Sequence, residues 1–377
     1  MRWMTGGESH GPCLTAIVDG LPAGLIVDPE RVNQELARRQ SGYGRGDRME
    51  IESDRAEFTG GVIAGRTTGA PVVVRIANRD WPNWEPRWAA GDLELLTVPR
   101  PGHADFAGMR KYGLTDFRPV LERASARETA ARVAVGALAK LLVGSFRIRV
   151  WSYVERIGGI GATLPDEPVE HLHQRAETDS VRCPDASAGR EMVKAIDDAR
   201  ADGESLGGVF VVAATGVPVG LGTHTQWDRR LDARLAAALV SIPAIKGVEI
   251  GPAFSNADRR GTQVHDPFHP GEAGLPVRSA NRAGGLEGGM TNGEPILLRA
   301  AMKPIPTTVT PQSSVDLATG WASETAYQRS DVCAVPAASI VGEAMVAWTL
   351  AEALRERLGG DSLERMKACW ADGSDDG

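Results

Sequence analysis

Two of the seven histidines stand in the same kind of local setting. His10 lies in "GGESHG" and His103 in "RPGHAD", each among glycines or small residues in a turn-like segment, and each has a carboxylate near it in sequence, Glu8 or Asp105. Glycine lets a backbone approach a ligand closely, and imidazole is the side chain suited to proton transfer near neutrality. Either ring alone also reads as structural, but two in matching settings favour acid–base catalysis. Arginines gather in the same stretches. "LARRQSGYGRGDR" carries Arg38, Arg39, Arg45 and Arg48 into a glycine-rich loop, and "ERASARE" places Arg123 and Arg127 at a helix start, where free N–H groups favour anions. "MKPIPTT" adds Lys303, and "YQRSD" adds Arg329 and Asp331. A solvated basic face would look similar, as would a compositional bias, since only six of the 42 basic residues are lysine. Guanidinium forks nevertheless match carboxylates and phosphates in bidentate fashion. The combination points to a small, multiply anionic substrate carrying phosphate and carboxylates.

Other chemistries are disfavoured. No GxxxxGK[ST] occurs, and the glycine clusters at 42–46, 158–161 and 284–293 complete no GxGxxG between a strand and a helix, which argues against a Rossmann dinucleotide site. His171 and His173 read as members of a polar loop, and His265 and His269 flank prolines. A catalytic zinc needs three ligands held by oriented partners, so no metal is expected. The net charge of −7 argues against nucleic acid as a partner. Four cysteines without paired spacing read as free thiols of a reducing compartment. The N-terminus has no apolar signal core, and no run of about 18 apolar residues suggests a membrane span. A cytoplasmic protein is expected.

Several elements must position these residues. "LTAIV" at 14–18 reads as a strand. Asp28 as N-cap and Pro29 at the first helical position open a helix running to about Gln40. The alternation at 49–58 and the apolar run at 71–77 predict two more strands. Residues 78–102 are too long for a simple connector and form a candidate functional loop. Pro82 and Pro86 argue against a regular helix there, and Trp81, Trp84 and Trp88 read as subunit or core packing rather than ligand stacking. Ser125 and Glu128 form a capping box ahead of an apolar stripe, which predicts a helix over 126–143.

The second half repeats the first. "VDGLPAGL" (18–25) resembles "ATGVPVGL" (214–221), "TGAPVVVRIA" (68–77) resembles "NGEPILLRAA" (292–301), and a helix at about 337–358 matches the one at 126–143. Two related α/β halves, about 1–150 and 205–360, packed as one domain over 1–360 are therefore expected. Residues 361–377 are expected to form an acidic, partly disordered tail.

Eight motifs in order carry a resemblance over residues 1 to about 358. They are "GESHG" at 7–11, "RQSGYGRGDRM" at 39–49, "RPGHAD" at 100–105, "ERASARETAARVAVGA" at 122–137, "KGVEIG" at 246–251, "AGGLEGG" at 283–289, "KPIPT" at 303–307 and "RSDVCAVPAA" at 329–338. Together they resemble the chorismate synthase family. The resemblance implies a lyase that removes phosphate from 5-enolpyruvylshikimate 3-phosphate by 1,4-anti elimination, with reduced FMN and no net redox change. It implies an α+β fold, a β-α-β sandwich with mainly antiparallel sheets between helix layers, and a homotetramer. By motif, His10 would serve the departing phosphate, His103 the reduced flavin, and Asp331 the removal of the ring proton. Arg39, Arg45, Arg48 and Arg127 would hold the substrate, and Arg39 and Arg45 would meet NADPH in a bifunctional member. Arg123, Ala124, Ser125, Pro243, Ala244, Gly288, Lys303, Pro304, Ile305, Pro306, Thr307 and Arg329 would contact FMN. Two positions depart from the family pattern. Ala124 replaces a serine, and Pro243 replaces an asparagine, so a weakened flavin affinity is expected. A phosphomonoesterase with His10 as nucleophile and a non-catalytic anion- or flavin-binding module are the alternatives.

Overall fold

Asp28 caps the first helix, its carboxylate accepting from the Glu30 N–H at 3.0 Å, and helix α1 runs Pro29–Gln40 as the sequence predicts. The computed structural model describes residues 1–46, 53–271, 276–328 and 330–374, with side chains as far as 371. Arg48, Arg329 and the first part of the strand expected at 49–58 lie outside the described residues.

A first antiparallel sheet joins β1 (Arg2–Gly6), β2 (Cys13–Asp19), β3 (Ala56–Gly60) and β4 (Val72–Ala77) in the order β1-β2-β4-β3. Its inward residues alternate, Leu14, Ala16 and Val18 on β2 against Val72, Val74 and Ile76 on β4. The stretch 78–102 contains a helix, α2 (Trp81–Ala90), contrary to the reading from its prolines. Pro82 falls in the first turn, where no N–H partner is needed, and only Pro86 removes an internal hydrogen bond. Two short helices follow, α3 (Asp105–Tyr112) and α4 (Arg118–Ala124).

The expected helix at 126–143 begins differently. Residues 126–128 form a 3₁₀ turn capped by the Ser125 hydroxyl, which accepts from the Arg127 N–H at 3.3 Å, and α5 spans Thr129–Gly144. Glu128 closes no capping box. Its carboxylate is drawn instead to the Thr5 hydroxyl and to Arg132, both at 2.8 Å.

A second antiparallel sheet joins β5 (Arg149–Ile157), β6 (Ile160–Gly161), β7 (Gly208–Thr215), β8 (Ile245–Ile250) and β9 (Ile296–Met302) in the order β8-β9-β7-β5-β6. His171 and His173, read as loop residues, lie on α6 (Val169–Thr178). After α7 (Ala186–Ala201) and α8 (Leu231–Val240) comes α9 (Val335–Leu358). Among the described residues this is the helix that is both long and apolar enough to span a bilayer, but 94% of its most apolar window is buried within the protein. A helix apolar all round is what a core position requires. It packs along α5 so closely that a methyl group on Gly136 would collide with Ala344. The α5 helix faces the first sheet and α9 the second, so the central helices lie between the two sheets, the reverse of the expected sheets between helix layers. Within the segment expected to be an acidic tail, Leu363–Ser374 forms α10, docked by the buried Met366 and by Trp370, whose ring lies 5.4 Å from Phe146.

The helices are also clamped by charge. Glu343 of α9 is wholly buried and accepts from Arg38 of α1 at 2.8 and 2.9 Å. Lys140 of α5 and Arg182 pair with the same carboxylate. Burial alone would raise the Glu343 pKa, but Arg38 and Lys140 override it and hold the group well below the usual carboxylate range. His173, Glu177 and Glu343 have metal-ligand spacing. Arg38, Lys140 and Arg182 already occupy that carboxylate, so a cation would meet three positive charges there.

Candidate active site

The loop of residues 7–12 turns tightly between β1 and β2. Gly7 has φ +110°, and a side chain there would collide with the Cys13 carbonyl. The buried Asn78 amide donates to the Ser9 carbonyl at 3.2 Å and the Gly11 carbonyl at 2.8 Å, pinning the loop on both sides of His10. The His10 ring is oriented by Glu122 of α4 rather than by Glu8. Nδ1 lies 2.9 and 3.0 Å from its carboxylate oxygens, and the His10 backbone N–H donates to the same group at 2.9 Å. Glu8 instead packs beside Gly11. The indole of Trp84 lies over His10, with ring centroids 4.1 Å apart and planes inclined by 34°. Trp84 is thus a wall of the site and not core packing; Trp81 and Trp88 contact each other edge-on.

His103 is held by the neighbour the sequence suggests. Its Nδ1 hydrogen-bonds to the fully buried Asp105, which also accepts from Arg100 Nε at 2.9 Å and from the Arg100 backbone at 3.1 Å. Burial works against the Asp105 charge, but the bonds from His103 and Arg100 outweigh it and hold the carboxyl at about 2. Arg100 further donates to Thr307 at 3.0 Å, tying the "RPGHAD" turn to the "KPIPT" segment, as does Lys303, which donates to the Gly102 carbonyl at 2.6 Å.

Both histidines open into one cavity of about 820 Å³. Arg39, Arg45, Arg123, Ala124, Ser125, Arg127, Pro243, Ala244, Lys303, Ile305, Pro306, Thr307 and Asp331 line it too. Two expected residues do not. Pro304 is turned away beside Gly207, and Gly288 sits in the tight turn between Leu286–Glu287 and Met290–Thr291. Arg39 and Arg127 are buried and share Asp54, at 3.6 Å and at 2.6 and 2.7 Å respectively. Arg39 also reaches Thr129 Oγ1 at 2.9 Å. Arg45 pairs with Asp331 at 2.8 Å, and the Gly46 N–H donates to the same carboxylate at 2.8 Å. Ala244 adopts φ +68°, and its carbonyl accepts from the Lys303 N–H at 3.0 Å.

Among the described residues, eight arginines and Lys303 face this cavity against four carboxylates, Asp80, Glu94, Glu128 and Asp331. Burial, then Lys246, pushes the Lys303 ammonium below its ordinary value. Apolar side chains, Ile242, Met302, Ile305, Ala337, Ala338 and Val341, cover another part of the wall. Sequence reasoning missed Glu122, Trp84, Asp54, Arg100, Arg118 and Arg132. Glu122 and Arg100 stood inside quoted motifs, but nothing local marked Trp84 or Asp54.

A frame of packed helices between antiparallel sheets carries two carboxylate-held imidazoles into a cavity rich in positive charge. That combination is suited to acid–base chemistry on an anionic ligand. The chorismate synthase family profile matches residues 1–354. Chorismate synthases from Desulforudis audaxviator and Desulforamulus reducens are each 54% identical, over 97% and 98% of this chain and 95% and 97% of their own lengths. A crystal structure of chorismate synthase, 42% identical, superposes with a TM-score of 0.81 over 100% of this chain and 97% of that one. The chain belongs to the chorismate synthase family, and with it to the carbon–oxygen lyases. The phosphatase and binding-module readings are set aside on that ground.

Proposed function

We propose that this protein converts 5-enolpyruvylshikimate 3-phosphate to chorismate and phosphate, with reduced FMN bound in the same cavity. One observation carries the reading: two carboxylate-held histidines share a cavity whose cations outnumber its carboxylates. The walls suit a flavin mononucleotide, since they pair positive charge for a phosphate with an apolar stretch for a ring system. Arg123, Ala124, Ser125, Pro243, Ala244, Lys303, Ile305, Pro306 and Thr307 would hold it. Reduced flavin, when bound, would lend an electron transiently in a reaction without net redox change.

The chain's own residues do the rest. With Nδ1 committed to Glu122, His10 would exchange its proton with the departing phosphate through Nε2. His103, fixed through Nδ1 by Asp105, would present Nε2 to the flavin side of the cavity. Asp331, fixed by Arg45 and the Gly46 amide, would assist removal of the ring proton. Arg39, Arg45 and Arg127 would bind the substrate's anionic groups, with Asp54 setting the position of Arg39 and Arg127. If the protein reduces its own flavin, NADPH would meet Arg39 and Arg45. Anaerobic protein with reduced FMN and substrate is expected to give the chorismate absorbance. His10→Ala is expected to lose turnover by about 10²–10⁴-fold, with a much smaller loss of substrate binding. An equal loss in both would make His10 a binding residue only.

We also infer one domain over 1–360 made of two related halves sandwiching the central helices. The matching strand orders, β1-β2-β4-β3 and β5-β7-β9-β8, support this. A cytoplasmic homotetramer follows from the family, and the largely exposed Trp227, Phe254 and Trp321 are suited to subunit contacts.

A further inference from the structure

The 78–84 segment has no part in the mechanism as stated, yet it surrounds His10. We propose that Trp84 is a positioning residue for His10, held in place by Asn78 and Asp80, and that this is the role of the segment. The inference rests on the assignment of His10 to the departing phosphate.

A hydrogen bond at Nδ1 fixes one edge of an imidazole, and a stacked ring fixes its plane. Glu122 supplies the anchor, and the indole of Trp84, stacked at 4.1 Å, supplies the second constraint. Trp84 is itself fixed, because its Nε1–H donates to Asp80 Oδ2 at 3.0 Å. Asp80 is buried, and its backbone N–H donates to the Asn78 side-chain carbonyl at 3.1 Å. The amide nitrogen of the same Asn78 grips the carbonyls of Ser9 and Gly11, the residues flanking His10. The contacts therefore close a circuit from the imidazole through Trp84, Asp80 and Asn78 back to the backbone that carries the imidazole.

Core packing does not account for this placement. No residue of α2 is fully buried, its three tryptophans are half-buried, and its first turn lays the indole of Trp84 on the catalytic ring. The start of the helix sets the geometry, since Asp80 and Trp84 are four residues apart and so lie on one face. The indole also keeps water from that face of the ring, so the proton on Nε2 is offered to the phosphate in one direction.

The test is steady-state kinetics of the full-length protein with reduced FMN. Trp84→Ala is expected to lower kcat about 10–100-fold, the scale of a small misplacement of a reacting group, with KM within about threefold. Trp84→Phe, which keeps an aromatic face, is expected to recover most of kcat. In a His10→Ala background, Trp84→Ala is expected to have no further effect, because both changes act through one ring. A normal kcat in Trp84→Ala, a loss carried by KM, or losses that multiply in the double variant would each overturn the proposal. Normal turnover in His10→Ala would instead overturn the assignment of His10, and the present inference with it. An impaired His10→Ala beside a normal Trp84→Ala overturns this inference alone.

Discussion

Adjacent residues of α1 reach two different charged clusters. Arg38 runs to the buried Glu343, and Arg39 runs to the cavity wall at Thr129. Around Glu343 the three cations Arg38, Lys140 and Arg182 are matched by Glu35, Glu177 and Glu343 itself, and side chains from α1, α5, α6 and α9 meet there. Around the cavity eight arginines and Lys303 meet four lining carboxylates, with Asp54, Asp105 and Glu122 behind the lining to hold Arg39, Arg127, Arg100 and Arg118, which leaves a smaller positive excess. Charge matched one for one among side chains of four helices locks those elements together. An excess of positive charge around a cavity draws an anionic ligand that completes it. The helices are shared, so the first cluster fixes the frame on which the second is displayed.

The comparison can be broken from either side. The largest effect is expected at the locking cluster. Glu343→Ala removes the one fully buried carboxylate that Arg38, Lys140 and Arg182 share, leaving them Glu35 and Glu177, and should cost about 3 kcal/mol of stability, read as a shift in the urea midpoint. Substrate affinity of the folded protein should survive, and an equal loss of affinity would erase the distinction. Next comes Arg39→Ala, expected to weaken substrate binding by about 2 kcal/mol, or roughly 30-fold in Kd, measured by titration. Its urea midpoint should move far less than that of Glu343→Ala, because Arg127 still holds Asp54.

A smaller effect is expected with acid, and both regions contribute to it. Glu177 is lowered to about 2 and Asp105 to about 2, in each case because cationic partners outweigh burial, and Glu343 lies well below its usual range. A carboxylate whose folded pKa is depressed binds fewer protons folded than unfolded. Its contribution is therefore complete above about pH 4.5 and is lost as pH falls towards 2. Melting temperatures from pH 6 down to 2 should fall on that limb, and Glu177→Gln should flatten it. An unchanged slope in that variant would remove Glu177 from the account. The smallest effect belongs to the cavity. Ala124→Ser or Pro243→Asn should tighten FMN binding by about 1 kcal/mol, and no tightening in either would leave both departures without consequence.

Local chemistry was legible in the sequence, and convergence across the chain was not. Asp28 and Pro29 announce α1 because a cap acts on its own neighbours. His103 and Asp105 are two residues apart, so their pairing was readable, whereas Glu122 finds His10 across 112 residues and the nearer Glu8 drew the assignment. The prolines concealed α2 because position within a helix, and not proline itself, decides the cost. The four-helix convergence on Glu343 left no trace, since each partner looks like an ordinary surface charge in its own segment. The motifs naming the family succeeded for the opposite reason, since they keep residue type and order where geometry is invisible.

The pinned loop at 7–12 has a consequence for how the protein is made. His10 leaves the ribosome 321 residues ahead of Asp331, which at typical elongation rates is on the order of half a minute. Once residues 78 and 122 have been made, the loop has Asn78 and Glu122 to hold it, but nothing yet to complete the cavity. The site is therefore among the last features to mature. Its activity reports that the far end of the chain has found the near end, and a stalled or truncated product would carry a well-formed His10 loop without any catalysis.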